Sequence, residues 1–302
     1  MQAAANIWSQ YLTLANVTLK IAITVNDAYF SGNVLAQGGP ELYQQTGATF
    51  NGKPVYDTNT AIKLRTGTDI NGSAPDISIE LTSNAIRNLL SFKTDDSTSA
   101  TPGRSDALSV FLHEIGHGLG ILDASEGGGF PGYGVYDTFV QNGKFTGPNA
   151  EAAASNLAGI PLQQGSLSHI SEASSYADDL MSAAIPNGTN VHISAIDLGI
   201  LQDIGVAIRT GTTGDDDAYA LWGTALHLNA GNDIGHAVAG GSVIYGEDGN
   251  DTLYGNTGAD SLNGGDGDDT LIGGGGGDQI NGGNGIDTAV YSASAGNYQV
   301  TQ

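Results

Sequence analysis

The stretch 246–290 reads GEDGNDTLY, GNTGADSLN, GGDGDDTLI, GGGGGDQIN and GGNGIDTAV, with glycine always fourth and aspartate always sixth in each nine. Glycine permits the tight turns that such a short period demands. Asp251, Asp260, Asp269, Asp278 and Asp287 are then spaced to aim carboxylates between successive turns of a coil, where a hard cation takes oxygen ligands. Leu253, Leu262, Leu271 and Ile280 recur at the same spacing and form an interior row. A flexible linker rich in glycine and aspartate has no reason to keep that apolar row. The acidic array repels itself and has few apolar groups to hold it closed, so its folding should be coupled to a bound divalent cation.

The pattern resembles G-G-x-G-x-D-x-U-x, the calcium-binding parallel β-roll repeat of RTX proteins. The block 228–236 keeps the register with Gly231 and Asp233, and the block 237–245 keeps Gly240 and Ile244 but has Ser242 in place of aspartate. GTTGDDDAY at 211–219 sits one residue out of register. These read as degenerate leading turns. The resemblance implies Ca2+ as a ligand, an origin in a Gram-negative bacterium, and type I export machinery as a partner that delivers the protein to the extracellular space. The sequence stops at Asn297–Gln302 as an alternating strand begins, so the roll is expected to be truncated relative to its parent.

Composition changes sharply ahead of the repeats. Residues 210–302 hold half of the 46 glycines and 13 of the 32 acidic residues, with no lysine or arginine. The expected domains are therefore 1–209 and 210–302. A formal charge of −23 disfavours nucleic acid and anionic membrane as partners, since both would repel the chain. The absence of cysteine excludes disulfides and thiolate metal sites. No apolar stretch reaches the ~20 residues of a membrane span, and MQAAANIWSQ lacks the basic and apolar segments of a signal peptide.

The first domain carries its own chemical signal at 113–123, HEIGHGLGILD. Residues four apart share a helix face, so His113 and His117 can present two imidazoles to one metal, with Glu114 beside them as a proton acceptor. Gly120 can end the helix, and Asp123 arrives where a third ligand is needed. The run is similar to the H-E-x-x-H-x-x-G-x-x-H pattern of metzincin metalloproteases at every place but the last, where aspartate replaces histidine as in the snapalysin-like branch. That resemblance implies Zn2+ held by His113, His117 and Asp123, with Glu114 catalytic. It also implies a methionine turn beneath the metal, and Met181 in DDLMS is its candidate. The tyrosine that some members place two residues after that methionine is Ala183 here, so its role is not carried over. His169, His192, His227 and His236 read as structural or exposed.

Coarse patterning places helices over 2–12, from a cap at Ser105 or Asp106 through His117, and over 193–204 with Gly205 as the stop. Val17–Val25 and Asp76–Leu81 read as strands, the second suited to pairing with an extended substrate. Residues 31–75 read as long loops with one helix near Leu42. The expected architecture is an α+β metzincin catalytic domain followed by an all-β parallel β-roll. Together the two parts resemble serralysin-like proteases, which implies a secreted zinc endopeptidase acting on protein or peptide substrates. The alternatives are a noncatalytic calcium-dependent adhesion or scaffold module, and a hydrolase acting on an amide of a cell-wall peptide.

Overall fold

The computed structural model describes residues 1–12, 17–27, 35–92, 101–123, 132–154, 158–164, 166–171, 174, 179–182, 184–185, 187–189, 191–206, 208–209, 211–221, 225–238 and 240–290. The loop signals Gly127–Gly129 and Pro131, the position Ala183, the turn residue Pro186 and the terminal strand at Asn297–Gln302 lie outside these residues. The chain forms two compact units, Met1–Ile208 and Arg209–Gln302. Among the described residues no helix is long and apolar enough to cross a membrane.

The first unit opens with α1 (Gln2–Tyr11), whose buried Ala4, Trp8 and Tyr11 form the expected stripe. The strand expected over Val17–Val25 is shorter, β1 (Ile21–Val25), and its Ile23 and Val25 are exposed rather than buried. Residues 31–75, expected as loops, are mostly regular: β2 (Ala36–Pro40), β3 (Tyr43–Phe50), β4 (Lys53–Thr58) and α2 (Asn59–Thr66). The β3–β4 hairpin turns at Asn51 and Gly52, both at positive φ, a pairing that matches the twist of a tight hairpin. Thr58 caps α2 at its start, and Gly67 ends it in the left-handed region.

Strand β5 (Ile77–Leu81) buries Ile77, Ile79 and Leu81 by strict alternation. It lies at the centre of a three-stranded sheet, parallel to β1 and antiparallel to β2. Pairing of this strand with a substrate is therefore corrected: both of its edges are already hydrogen-bonded.

Helix α3 (Ala107–Leu119) packs on that sheet. Asp106 caps it by accepting the Ser109 N–H at 2.9 Å, and Gly120 closes it at φ 124°. Its whole length is buried except Leu108, which suits a helix sandwiched on several sides. Close approach needs glycine here: a Cβ on Gly118 would come within 2.4 Å of Ile77. Further along the unit come α4 (Pro148–Ala153), a four-stranded sheet that includes the hairpin of Ile160–Gln163 with Ser166–Ile170, and α5 (Ala195–Asp203). Ser194 and Asp197 form a reciprocal capping box on α5, and Gly205 follows at φ 88°.

The second unit is a parallel β-roll. Two parallel sheets, of five and four strands, face each other, and each strand pairs with the strand two nonapeptides on, as Thr252 does with Thr270. Ala218, Leu228, Ile244, Leu253, Leu262 and Leu271 fill the interior, with Ile280 partly buried at its end. The leading turns belong to the same coil, but Asp217 pairs with Ile234 at an offset one residue shorter than that of Ile234 with Thr252.

Candidate metal centres

α3 brings His113 and His117 to one face, as their spacing requires. Their Nε2 atoms lie 3.1 Å apart. The residue that joins them is His169, on the strand Ser166–Ile170, with its Nε2 at 3.2 Å from His113 and 3.1 Å from His117. Among the described residues these three are the group whose ligand atoms all lie within 4.8 Å of one another. The reading of His169 as structural or exposed is thereby corrected. Asp123 is buried but outside this group. The physical reason is the turn after Gly120: Ile121 N–H returns to Gly116 O at 3.2 Å, and Ile121 O sits 2.7 Å from His117 Nδ1. The chain therefore passes the imidazole on its Nδ1 side, opposite the convergent nitrogens.

The cluster is built to be neutral. His113 Nδ1 lies 2.7 Å from Leu180 O and His117 Nδ1 lies 2.7 Å from Ile121 O, so each Nδ1 carries the proton and donates it to a carbonyl. The Nε2 atoms are then lone pairs facing one another. Burial, reinforced by the neighbouring ring, lowers all three imidazoles to about 3, which opposes protonation as an escape. A cation would satisfy three converging ring nitrogens, and nitrogens ~2.0 to 2.1 Å from a tetrahedral zinc are ~3.3 Å apart, close to the spacing here. The donor set fits zinc.

Glu114 is buried on the same helix, where burial pushes its carboxyl up to about 8 against a backbone hydrogen bond from Gly38. A Cβ on Gly38 would come within 2.5 Å of Glu114 O, so β2 lies directly against this turn of α3. Met181 is fully buried, and a Cβ on Gly116, between the two helix histidines, would come within 2.7 Å of its Sδ. Ile170 N–H donates to Met181 O at 2.8 Å, which ties the His169 strand to the Met181 turn. His192 is elsewhere than the cluster, and His227 and His236 belong to the roll, stacked on Tyr245 and on Tyr219 and Tyr254.

In the roll, each repeat aspartate divides its two oxygens. Oδ1 accepts a backbone N–H one full turn earlier, as Asp269 does from Asp251 at 2.8 Å and Asp260 from Ser242 at 2.7 Å. Oδ2 of Asp233, Asp251, Asp260 and Asp269 is buried without a hydrogen-bond partner. A buried, unpaired carboxylate oxygen is costly, and a row of them is what calcium coordination by oxygen would relieve. Burial raises these four carboxyls, Asp251 to about 6, the same cost seen as reluctance to ionise. Glycine leaves the space: a Cβ on Gly246 or Gly264 would come within 2.1 Å of the Oδ2 of Asp251 or Asp269. Asp278 and Asp287, towards the end of the array, are half-buried. Asp233, signalled in the sequence by its register, heads a row that continues through Asp251, Asp269 and Asp287, while Ser242 stands at the head of the second row, before Asp260 and Asp278.

No curated protein and no solved structure matches the chain. The family model of the RTX calcium-binding nonapeptide repeat, in four copies, matches residues 227–262 and 254–289. Together with the parallel sheets and the orphaned aspartate oxygens, this match identifies residues 227–289 as RTX calcium-binding nonapeptide repeats.

Proposed function

We propose that residues 1–208 are a zinc-dependent endopeptidase of metzincin type and that the chain is a secreted protease stabilised by calcium. The observation that carries this reading is the convergence of His113, His117 and His169 beside the buried carboxyl of Glu114. Zinc, when bound, supplies positive charge that polarises a scissile carbonyl and acidifies water. The three imidazoles hold that charge in one place, His113 and His117 with their tautomers set by the carbonyls of Leu180 and Ile121. Glu114 takes the proton of the attacking water and passes it to the leaving amine, so that oxygen goes to the carbonyl carbon and hydrogen to nitrogen.

Strand β2, the outer strand of its sheet among the described residues, is where an extended substrate would add as a further strand. Its contact with Glu114 brings such a substrate to the reacting group. RTX repeats are typical of secreted bacterial proteins, which supports an extracellular destination and export as the route there.

The test is Glu114→Gln, compared with wild type for zinc content and for hydrolysis of an unfolded protein substrate such as casein. The variant is expected to keep zinc and fold while hydrolysis falls ~10²- to 10⁴-fold. Hydrolysis at the wild-type rate would refute the role of Glu114. Zinc-loaded wild type that cleaves nothing would favour a calcium-dependent scaffold.

A further inference from the structure

The turn that carries Met181 is tied to the start of α5 through acidic side chains. Asp179 accepts the Met181 N–H on Oδ1 at 3.2 Å and the Ser194 hydroxyl on Oδ2 at 2.6 Å. Asp197 accepts the Ser194 N–H on Oδ2 at 2.8 Å. Asp197 has no exposed surface, and its Oδ1 is buried without a hydrogen-bond partner. The two carboxyls thus meet at Ser194, Asp179 on its hydroxyl and Asp197 on its N–H.

Two carboxylates cannot satisfy one another, because both only accept. Among the described residues no lysine or arginine acts on either carboxyl, and His192 stands two residues before Ser194. α3, α4 and α5 contain no lysine or arginine. The other acidic groups on these helices are Glu114 on α3, Glu151 on α4 and Asp203 on α5, which is turned to the backbone N–H groups of Asn149 and Ala150. His169, on the neighbouring strand, is engaged with His113 and His117. One proton changes the balance: it gives Asp197 a donor to offer Asp179 and removes one of two neighbouring charges.

We propose that Asp179 and Asp197 share a single proton and act as positioning residues for His113, through the turn whose Leu180 carbonyl accepts the His113 Nδ1–H. Burial raises both carboxyls, and Asp197 stands well above the usual range with the charge of Asp179 adding to the effect. The deeper group is thus the acid and the shallower one the acceptor. The positioning role rests on the three histidines being a metal site, whereas the shared proton does not.

The test uses full-length protein loaded with zinc and calcium. In a Glu114→Gln background, which removes the other carboxyl of this unit that burial raises on a helix, infrared spectroscopy at neutral pH should show a protonated-carboxyl band that Asp197→Asn abolishes. Zinc affinity is then followed against pH by chelator competition. Wild type should lose affinity as alkali removes the band, while Asp197→Asn, whose amide N–H donates to Asp179 without titrating, keeps it. Asp197→Ala should lower zinc affinity ~10- to 100-fold. If that variant fails to fold, the asparagine variant and the band decide. No band attributable to Asp197, or an asparagine variant that loses zinc with the wild-type pH profile, would overturn the proposal. A band in protein that binds no zinc would overturn the positioning role and the metal reading together, leaving the proton.

Discussion

His113 and His117 owe their chemistry to backbone atoms far from the HEIGH run as well as to their spacing. Leu180 O and Ile121 O take the Nδ1 protons, and His169 supplies the third nitrogen 52 residues after His117. His169→Ala should therefore weaken zinc binding by more than the ~10- to 100-fold lost when a residue that only orients a ligand is removed. Asp123→Ala should leave zinc stoichiometry at wild type. Competitive chelator titration of both variants checks this, and the reverse order of effects would restore Asp123 as the ligand. The helix pair was legible in sequence because a four-residue spacing dictates one face. His169 was not, because no rule of spacing connects a histidine on a short strand to a helix so far upstream. Its local signal, the alternation in SLSHI, shows only a strand.

Among the elements, α1, α3 and α5 were legible, with Asp106, Gly120 and Gly205 marking ends by capping chemistry that works within a few residues, whereas the helix expected near Leu42 is the start of β3. The β3–β4 hairpin was missed although Asn51 and Gly52 announce its turn, because its strands are polar and mostly exposed and so lack an apolar alternation. α2 is anchored by a buried charge cluster rather than by an apolar stripe. Lys63 Nζ lies 2.8 Å from Asp69 and 2.9 Å from Asp76, and Lys20 also reaches Asp69 at 3.2 Å. The hydrogen bond from Lys63 lowers the Asp69 carboxyl to about 2, with Lys20 adding to it. A depressed carboxyl contributes stability above its ordinary range and loses it as pH falls through the folded value. Wild type should thus be more stable than Asp69→Asn at pH 6, with the gap closing towards pH 2. Thermal unfolding across that range checks it, and a pH-independent gap would show that the aspartate acts through packing alone.

For the whole molecule, the two units present different donor sets, three imidazole nitrogens in residues 1–208 and rows of aspartate oxygens in the roll. The roll was legible almost entirely, since a strict nine-residue period specifies turn, core and carboxylate row at once. Nitrogen ligands suit zinc and hard oxygen ligands suit calcium, so the two metals should be separable by chelator. Calcium removal is expected to reduce the circular-dichroism signal of the β-roll while zinc stays bound. The most direct test of the account is casein cleavage followed as zinc alone is stripped and restored at constant calcium. Cleavage should fall to background with zinc loss and return on readdition, with the β-roll signal unchanged throughout; cleavage that persists in zinc-free protein would contradict it.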